Sequence, residues 1–455
     1  MNSSERYAVG NVSLLYAMRM LGLFMVLPVF TLYSGELAGA TPVLIGVAIG
    51  IYGLSQALLQ IPFGALSDRF GRKPLMLTGL GLFVMGSLLA AFSESIYLMI
   101  AGRFLQGAGA IASVLMAYLA DATREDNRSK AMATVGMTIG LSFGVALIAG
   151  PILASLGGLY LIFLITAVLG ALGMLLVMRM PTIIIQRHRT SRDVAFIKDD
   201  LRKVLKDPAL LRLDVSVLLL HLSLTMLFVS LPMVLKNQWA LPVEDHGWVY
   251  LGLMAIGFAL MVPGLIYAEK QRQLPLVFRV AVLTLIVGML VLGLFQASVL
   301  ISCIALALFF AGFNFMEASL PSMLSRLAPA GQRGTAMGVF ASCQFGGAFL
   351  GGVLGGVLLN TGRPELAFYA ISALACVWFL FTLGMKNPPA TQTSVISLRR
   401  FTEDQIDGLQ ESLLAVNGVT DVTLIMEDQL AYLKIDKSRL DRRALDQFTL
   451  GSHEA

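Results

Sequence analysis

Long apolar runs alternate with short polar segments along the first 386 residues of the chain. A bilayer core of roughly 30 Å needs about 20 apolar residues in a helix, so each run predicts a membrane-spanning helix. Twelve spans are predicted, and the longest interruption, at 179–212, divides them six and six. The predicted spans lie near 10–33, 43–65, 75–92, 96–120, 131–154, 159–178, 213–235, 246–268, 276–296, 298–324, 334–358 and 365–385.

The residues after 386 have the pattern of a soluble domain. Three segments alternate like strands and two have helical periodicity, which predicts the order strand–helix–strand–strand–helix. The segments are 395–399, 403–416, 419–426, 430–435 and 439–448. This order predicts a small ferredoxin-like α+β domain at 395–455, after a linker at 387–394. Acidic residues outnumber basic ones in this domain, which argues against nucleic acid as a partner.

Composition agrees with a membrane protein. Apolar residues make up 57% of the chain and charged residues 13%, and the mean hydropathy of +0.78 is far above that of soluble proteins. Cys303, Cys343 and Cys376 fall within predicted spans, so neither a disulfide nor a metal site is indicated, and no cofactor is predicted. The ATP-binding pattern GxxxxGK[ST] does not occur in the sequence, which disfavours an ATP-driven pump.

Lys and Arg are concentrated in the loops on one side of the predicted spans. That side carries 20 of them, against Lys236 and Arg363 on the other. Basic loops face the cytoplasm, so both termini are predicted to be cytoplasmic. In the central loop, a helix capped by Ser191 is predicted to lie along the inner membrane surface, either as a plain linker or as a lipid sensor. Its apolar residues are Val194, Ile197, Leu201, Val204 and Leu205.

The polar turn from Gly64 to Pro74, with the sequence GALSDRFGRKP, carries the most specific motif of the chain. It fits the pattern G-x-x-x-D-x-x-G-R-[KR], and span 4 contains R-x-x-Q-G from Arg103 to Gly107. Together with the six-and-six division, these motifs resemble the major facilitator superfamily over about residues 8–386. A partial motif in span 5 resembles the antiporter motif of drug/proton exchangers, through Gly140, Gly144, Gly150 and Pro151.

The resemblance implies an all-α membrane protein with two pseudo-symmetric six-helix bundles, 1–178 and 213–386, around a cavity that opens alternately to each side. It also implies that protons drive transport. We therefore expect the chain to be a transporter and not an enzyme. The specific expectation is a proton-coupled efflux antiporter of small amphipathic molecules in the bacterial inner membrane. A proton-coupled importer of the same fold is one alternative. A membrane sensor that signals through the tail domain is the other, and that domain is also a candidate for self-association or a regulatory contact.

Asp68 is the unusual residue of the Gly64–Pro74 turn, because topology requires the cations but no carboxylate. The pseudo-symmetry that the resemblance implies sets span 2 against span 11, whose positive helix end near Gly331 would point at Asp68. Arg72 is within reach of Asp68 or Asp121. The predicted conformational switch comprises Gly64, Asp68, Arg69, Gly71, Arg72, Lys73 and Asp121.

Two cations fall inside predicted spans, where a charge needs a partner or a wet cavity. Arg103 has two interpretations: it ties span 4 to span 1 or span 5 by bonding carbonyls, or it tunes a proton carrier. Arg19 lies midway along span 1, which lines the cavity in this fold. Because no acid lies in the interior of spans 1 to 5, an anionic or neutral substrate stays open beside a cationic one.

A proton carrier must titrate and be reachable from the cavity. Glu317 in span 10 is the first candidate, and an end-of-helix pair with Arg326 or Arg333 is its alternative. His221 in span 7 is the second candidate, because imidazole binds and releases a proton near neutral pH; its alternative is a packing hydrogen bond. The residues predicted to line the cavity are Arg19, Tyr52, Gln56, Gln60, Gln106, Asn314 and Gln344.

Overall fold

The computed structural model describes residues 1–182, 198–329, 331–389, 392–398, 402, 405–425, 429–436 and 439–448. The predicted cap at Ser191 and the first turns of the linker helix lie outside the described residues. The chain forms two compact units. The first comprises Met1–Ile184, Asp214–Leu320 and Gly338–Lys386, and the second Ile185–Leu213, Pro321–Met337 and Asn387–Ala455.

Helices account for nearly all of the described residues before 386. They are α1 (Ser3–Phe24), α2 (Phe30–Tyr33), α3 (Pro42–Phe70), α4 (Arg72–Ala91), α5 (Ile96–Ala108), α6 (Ala112–Ala122), α7 (Glu125–Arg179), α8 (Lys198–Val204), α9 (Pro208–Asn237), α10 (His246–Lys270), α11 (Leu274–Phe295), α12 (Val299–Leu327), α13 (Arg333–Leu359) and α14 (Glu365–Thr382).

Within the described part of the chain, 11 helices are long and apolar enough to cross a membrane. One of them, Lys130–Arg179, has 50 residues and would measure about 75 Å as a straight helix, more than twice a bilayer core. Its backbone is not helical at Gly157 and Gly158, and the φ of 60° at Gly158 favours glycine. This break coincides with the predicted boundary between spans 5 and 6, while the count of twelve stays a prediction.

Two predicted spans are interrupted in the structure. Span 1 divides into α1 and α2 around Pro28, which has no N–H group to donate to a helical carbonyl. Span 4 divides into α5 and α6 at Gly109, where a Cβ atom would lie 2.2 Å from the carbonyl oxygen of Gly79. The close approach of α4 at this position therefore requires glycine, and the helix of span 4 is interrupted here.

The outer surface of the first unit is strongly apolar. Leu141, Leu156 and Leu300 are 72%, 74% and 73% exposed, and many other large apolar side chains share this surface. Such a continuous apolar surface is stable in lipid but not in water. The chain is therefore a multi-pass membrane protein.

The two halves of the first unit meet through glycines of α3 and α13. A Cβ atom on Gly46 would lie 2.2 Å from the carbonyl oxygen of Gly352, and one on Gly50 would lie 2.6 Å from that of Phe349. Farther along α3, the hydroxyl of Ser342 donates to the carbonyl of Ala57 at 3.2 Å. Small residues let the helix backbones approach this closely. The halves are thus tightly packed at the end of α3 opposite to the Gly64–Pro74 turn.

The tail domain of the second unit contains a three-stranded antiparallel sheet in the order β1–β3–β2. Its elements are β1 (Gln392–Ser397), α15 (Ile406–Leu414), β2 (Val419–Ile425), β3 (Leu430–Ile435) and α16 (Arg442–Asp446). Leu413 of α15 and Leu445 of α16 pack against apolar residues of the sheet, such as Val422 and Leu433. The predicted order of elements is confirmed, although β1 begins at Gln392, inside the segment predicted as a linker.

Candidate functional site

Arg72 is the centre of an ion-pair cluster at the Gly64–Pro74 turn. Its Nε donates to Oδ2 of Asp121 at 2.9 Å. Its Nη1 contacts Oδ1 of Asp68 and also donates to the Ser67 hydroxyl at 2.6 Å. Arg72 is only 4% exposed, so two carboxylates from α3 and α6 hold a buried charge. Both carboxylates that the sequence offers to Arg72 are bonded at the same time.

The backbone explains why this turn has its sequence. Gly71 has a φ of 95°, a value that favours glycine, and it ends α3 so that α4 can begin at Arg72. The Nζ of Lys73 donates to the carbonyls of Met178 and Met180 at 2.8 and 2.9 Å. These bonds satisfy carbonyls at the end of α7, where a cation is favourable. Lys73 therefore has a structural contact that its charge alone did not predict.

Two further members of the predicted switch have local contacts. The guanidinium of Arg69 lies 5.4 Å from the centre of the Phe70 ring. A Cβ atom on Gly64 would lie 3.3 Å from the hydroxyl of Ser113, so the helices are close together at this position. The approach of Asp68 to the start of span 11 stays a prediction.

Arg103 is fully buried and bonded to neutral oxygens. Its Nη1 donates to Oε1 of Gln106 at 2.6 Å, and its Nε and Nη2 lie 3.4 and 3.5 Å from the carbonyls of Ala48 and Ile49. Gln106 in turn donates to the Ser87 hydroxyl at 2.9 Å. Arg103 thus ties α5 to α3, whereas the sequence suggested carbonyls of span 1 or span 5. Among the described residues, no carboxylate is paired with this cation.

Tyr52 joins Arg19 and Arg103, two buried cations of the first half. The guanidinium carbon of Arg103 lies 5.1 Å from the centre of the Tyr52 ring. The hydroxyl of the same tyrosine accepts from Nη2 of Arg19 at 3.4 Å and from Nε2 of Gln56 at 3.1 Å. Arg19, Tyr52 and Gln56 are 2%, 3% and 0% exposed. The structure therefore brings together four of the residues predicted from the sequence.

His221, Glu317 and Gln344 form a second cluster, contributed by α9, α12 and α13. The His221 Nε2 lies 2.8 Å from Nε2 of Gln344 and 3.6 Å from Oε2 of Glu317. The Gln344 amide also lies 3.5 Å from Oε1 of Glu317. The side chain of Glu317 is 42% exposed and that of His221 is 14% exposed. Both predicted titratable residues of the second half, His221 and Glu317, therefore share one site. The carboxylate of Glu317 is accessible from outside the protein.

The hydrogen bonds of His221 define its tautomer. Its Nδ1 lies 3.2 Å from the carbonyl oxygen of Val217, which can only accept, so Nδ1 carries a hydrogen. In the neutral imidazole, Nε2 must then accept, and the amide of Gln344 donates to it. A second proton on Nε2 would turn this atom into a donor, and Glu317 is the adjacent carboxylate.

The other residues predicted to line the cavity, and the glycines of the motif that resembles the antiporter motif, have fewer contacts with one another. Gln60 and Asn314 are 9% and 6% exposed. Among the described residues, Oε1 of Gln60 and Nδ2 of Asn314 have no hydrogen-bond partner. A Cβ atom on Gly140 or Gly144 would meet nothing within 4 Å, but one on Gly150 would lie 2.3 Å from the carbonyl oxygen of Met25. Of these glycines, only Gly150, which precedes Pro151, is thus required by close packing.

Sequence reasoning missed one feature of the first unit. Asp214 in α9 is 2% exposed, and its Oδ1 has no hydrogen-bond partner among the described residues. It is only the second residue of predicted span 7, at 213–235. The contact of α3 with α13, by contrast, agrees with the facing of span 2 and span 11 that the resemblance implies. Its signal was present, because Gly46 and Gly50, like Gly352 and Gly356, have the small-xxx-small spacing of packed membrane helices.

The pattern that defines the Major Facilitator Superfamily matches residues 12–352 and 213–415. The chain belongs to the Major Facilitator Superfamily. It is 42% identical over 448 residues to the inner membrane transport protein YajR of Escherichia coli strain K12, and the match covers 98% of each chain. It is 26% identical over 377 residues to the multidrug resistance protein MdtH of Aeromonas salmonicida, covering 80% of this chain and 91% of the relative.

Solved structures of this superfamily share the fold. The human organic anion transporter MFSD10 superimposes with a TM-score of 0.62 at 19% identity, over 84% of this chain and all of the other. At this identity the likeness concerns the fold alone. A member of this superfamily binds a small-molecule substrate within a lipid bilayer and moves it across. The chain is therefore a transporter and not an enzyme.

Proposed function

We propose that this chain is a proton-coupled secondary active transporter that exports small amphipathic molecules by alternating access. The observation that carries the proposal is the contact of His221 with Glu317, at 3.6 Å. It supplies two titratable groups on different helices, where a proton can change how the helices are held together. The relatives named as multidrug resistance proteins support export as the direction.

The proton acts on a three-residue relay. Neutral His221 accepts a hydrogen bond from Gln344, which links α9 to α13. Protonation of Nε2 removes this acceptor and creates a donor for Glu317 on α12. The amide of Gln344 must then turn or separate from the ring. Proton binding thus exchanges an α9–α13 contact for a stronger α9–α12 contact, and such an exchange favours one arrangement of the helices over the other.

The packed end of α3 and α13 supplies the second requirement of alternating access, a gate at one end of the cavity. We assign this end to the periplasm and both termini to the cytoplasm of the inner membrane, because the basic loops lie at the other end. The Arg72 cluster then lies at the cytoplasmic gate. Gly46, Gly50 and Gly352 form the core of the periplasmic gate.

A regulatory contact of the tail domain is part of the proposal. Lys434 of β3 is 6% exposed, and its Nζ donates to the carbonyl of Arg326 at the end of α12. A cation that binds the last carbonyls of a helix stabilises that helix end. We infer that the tail stabilises one position of this helix end. Removal of residues 390–455 would then change the transport rate without abolishing transport.

The test is reconstitution of the full chain into liposomes with a pH gradient and an internal pH dye. We would add 1-naphthoate, 1-naphthylmethylamine and 1-naphthylmethanol in turn, since these compounds share one ring system and differ in charge. Proton movement that depends on protein and on one of these compounds supports the proposal. If none of the three compounds causes proton movement in liposomes that contain folded protein, the proposal is contradicted.

A further inference from the structure

Arg19 has hydrogen-bond donors that no atom of the described residues accepts. Its side chain is 2% exposed, and its Nη2 lies 3.4 Å from the Tyr52 hydroxyl. Its Nε and Nη1 have no hydrogen-bond partner in the part of the chain that the structure describes. Within the described part of the chain it takes part in no ion pair. A buried guanidinium with unmet donors is costly, because neither water nor a counter-ion compensates its charge.

Tyr52 and Gln56 leave further hydrogen-bonding capacity at the same point. The Tyr52 oxygen accepts from both Arg19 and Gln56, so its lone pairs are in use and its own hydrogen remains to donate. Gln56 is fully buried, and its Oε1 has no hydrogen-bond partner among the residues described. Three neighbouring side chains thus keep unused polar groups inside the membrane-spanning part of the chain.

The charge of this region is positive. Arg103 lies over the Tyr52 ring and bonds only neutral oxygens among the described residues. The carboxylates Asp68 and Asp121 are bonded to Arg72, at the polar turn. Arg19 and Arg103, the two cations beside Tyr52, therefore have no carboxylate partner among the described residues of the first half. In a low-dielectric interior this arrangement favours the entry of an anion.

We propose that Arg19, Tyr52 and Gln56 bind the carboxylate or another singly charged oxyanion of an amphipathic organic anion. This inference rests on the proposed function, since it names the substrate class of the proposed transporter. The guanidinium supplies charge-assisted hydrogen bonds, and the Tyr52 hydroxyl donates a further one. Arg103 does not contact the anion in this arrangement but adds positive potential through the Tyr52 ring.

The experiment measures binding of radiolabelled probes to the purified full chain in detergent, with protein-free micelles as the blank. The probes are 1-naphthoate, 1-naphthylmethylamine and 1-naphthylmethanol. We expect 1-naphthoate to bind at least about tenfold more tightly than the other two, the effect of one charge-assisted hydrogen bond. Preferential binding of the amine or the alcohol, or no binding of 1-naphthoate, overturns the proposal.

Variants locate the site. Arg19→Gln should weaken 1-naphthoate binding about 10- to 100-fold, whereas Arg19→Lys, which keeps the charge, should retain most of it. Arg279→Gln is the matched control, because Arg279 donates to the carbonyl of Pro275 at the start of α11, outside this cluster. Equal binding by Arg19→Gln and the parent chain contradicts the proposal.

A measurement without ligand separates binding from folding. Arg19→Gln removes a buried charge whose donors are unmet, so its Tm should equal or exceed that of the parent. A clearly lower Tm would show that Arg19 is structural and would overturn the proposal.

The results in liposomes distinguish failure of the binding site from failure of the proposed function. If 1-naphthoate binds through Arg19 but moves no protons in liposomes, the proposed function is wrong and the binding site is retained. If protons move with the amine instead, the binding site fails and the proposed function stands.

Discussion

Arg103 lies over the ring of Tyr52, with its guanidinium carbon 5.1 Å from the ring centre. This cation–π contact joins a charge on α5 to a polar cluster on α3, and a buried contact of this kind stabilises by about 2 kcal/mol. The hydroxyl of the same ring accepts from Arg19 on α1. One tyrosine therefore connects three helices of the first half and fixes Arg19 and Arg103 relative to each other.

Tyr52→Phe separates the two functions of this residue. The ring remains, so the contact with Arg103 should persist, but Arg19 and Gln56 lose their shared acceptor. We expect the Tm to fall by a few degrees, corresponding to about 1 kcal/mol for one buried hydrogen bond, and 1-naphthoate to bind more weakly. Thermal unfolding and probe binding check this result. Tyr97→Phe, at a side chain exposed on the surface, is the control and should change neither quantity.

Asp68→Asn should reduce transport while expression persists. The change removes one of the two carboxylates bonded to Arg72, so the proposed cytoplasmic gate should be held closed less strongly. Because Asp68 is partly exposed, we expect a loss of only about 1 kcal/mol in stability. The transport rate per folded molecule in liposomes is the measurement. Glu94→Gln, at an exposed acid, is the control, and a transport rate equal to that of the parent would refute the gating role.

Gly46→Leu should keep the periplasmic gate from closing. A Cβ atom at this position would lie 2.2 Å from the carbonyl of Gly352, and the backbones must separate to admit a leucine. Spin labels at Thr41→Cys and Asn360→Cys, in a background without the native cysteines, report the distance across this end. We expect a longer distance in the variant and slower transport. Gly81→Leu is the control, since a Cβ there meets nothing within 4 Å; identical distance distributions in all three proteins would refute the gate.

Deletion of residues 390–455 tests the tail contact. The deletion removes the hydrogen bond from Lys434 to the end of α12, so we expect a changed rate but continued substrate-dependent proton movement. Lys434→Met should have the same effect as the deletion if this bond carries the regulation. Complete loss of transport in a folded, truncated chain would instead make the tail essential. A rate unchanged by both alterations would show that the contact has no regulatory role.

Local patterns in the sequence predicted the elements well, because they depend on residues close together in the chain. Apolar runs located the spans, and alternation located the three tail strands. The break at Gly157 and Gly158 also followed from the pattern. The partners of Arg103 did not follow, because Ala48 and Ile49 contribute backbone carbonyls that carry no sequence signal.

The candidate site was predicted as separate residues rather than as clusters. His221 and Glu317 each satisfied a chemical criterion for a proton carrier, but their contact joins residues 96 positions apart, and no local pattern encodes such a distance. Asp214 was missed because the edge of an apolar run does not define how deeply a carboxylate is buried. Helix packing determines both the contact of His221 with Glu317 and the burial of Asp214. This packing depends on long-range contacts such as that of Gly46 with Gly352.

The most direct test of proton coupling compares Glu317→Gln with the parent chain in two modes of transport, with Glu244→Gln as the exposed control. In the first mode, labelled 1-naphthoate on one side of the liposome membrane exchanges for unlabelled 1-naphthoate on the other, with the same pH on both sides. This exchange needs alternating access but no net proton movement. We predict that Glu317→Gln retains this exchange and loses accumulation driven by a pH gradient, because the acceptor for protonated His221 is gone. Accumulation by Glu317→Gln at the rate of the parent would contradict the account.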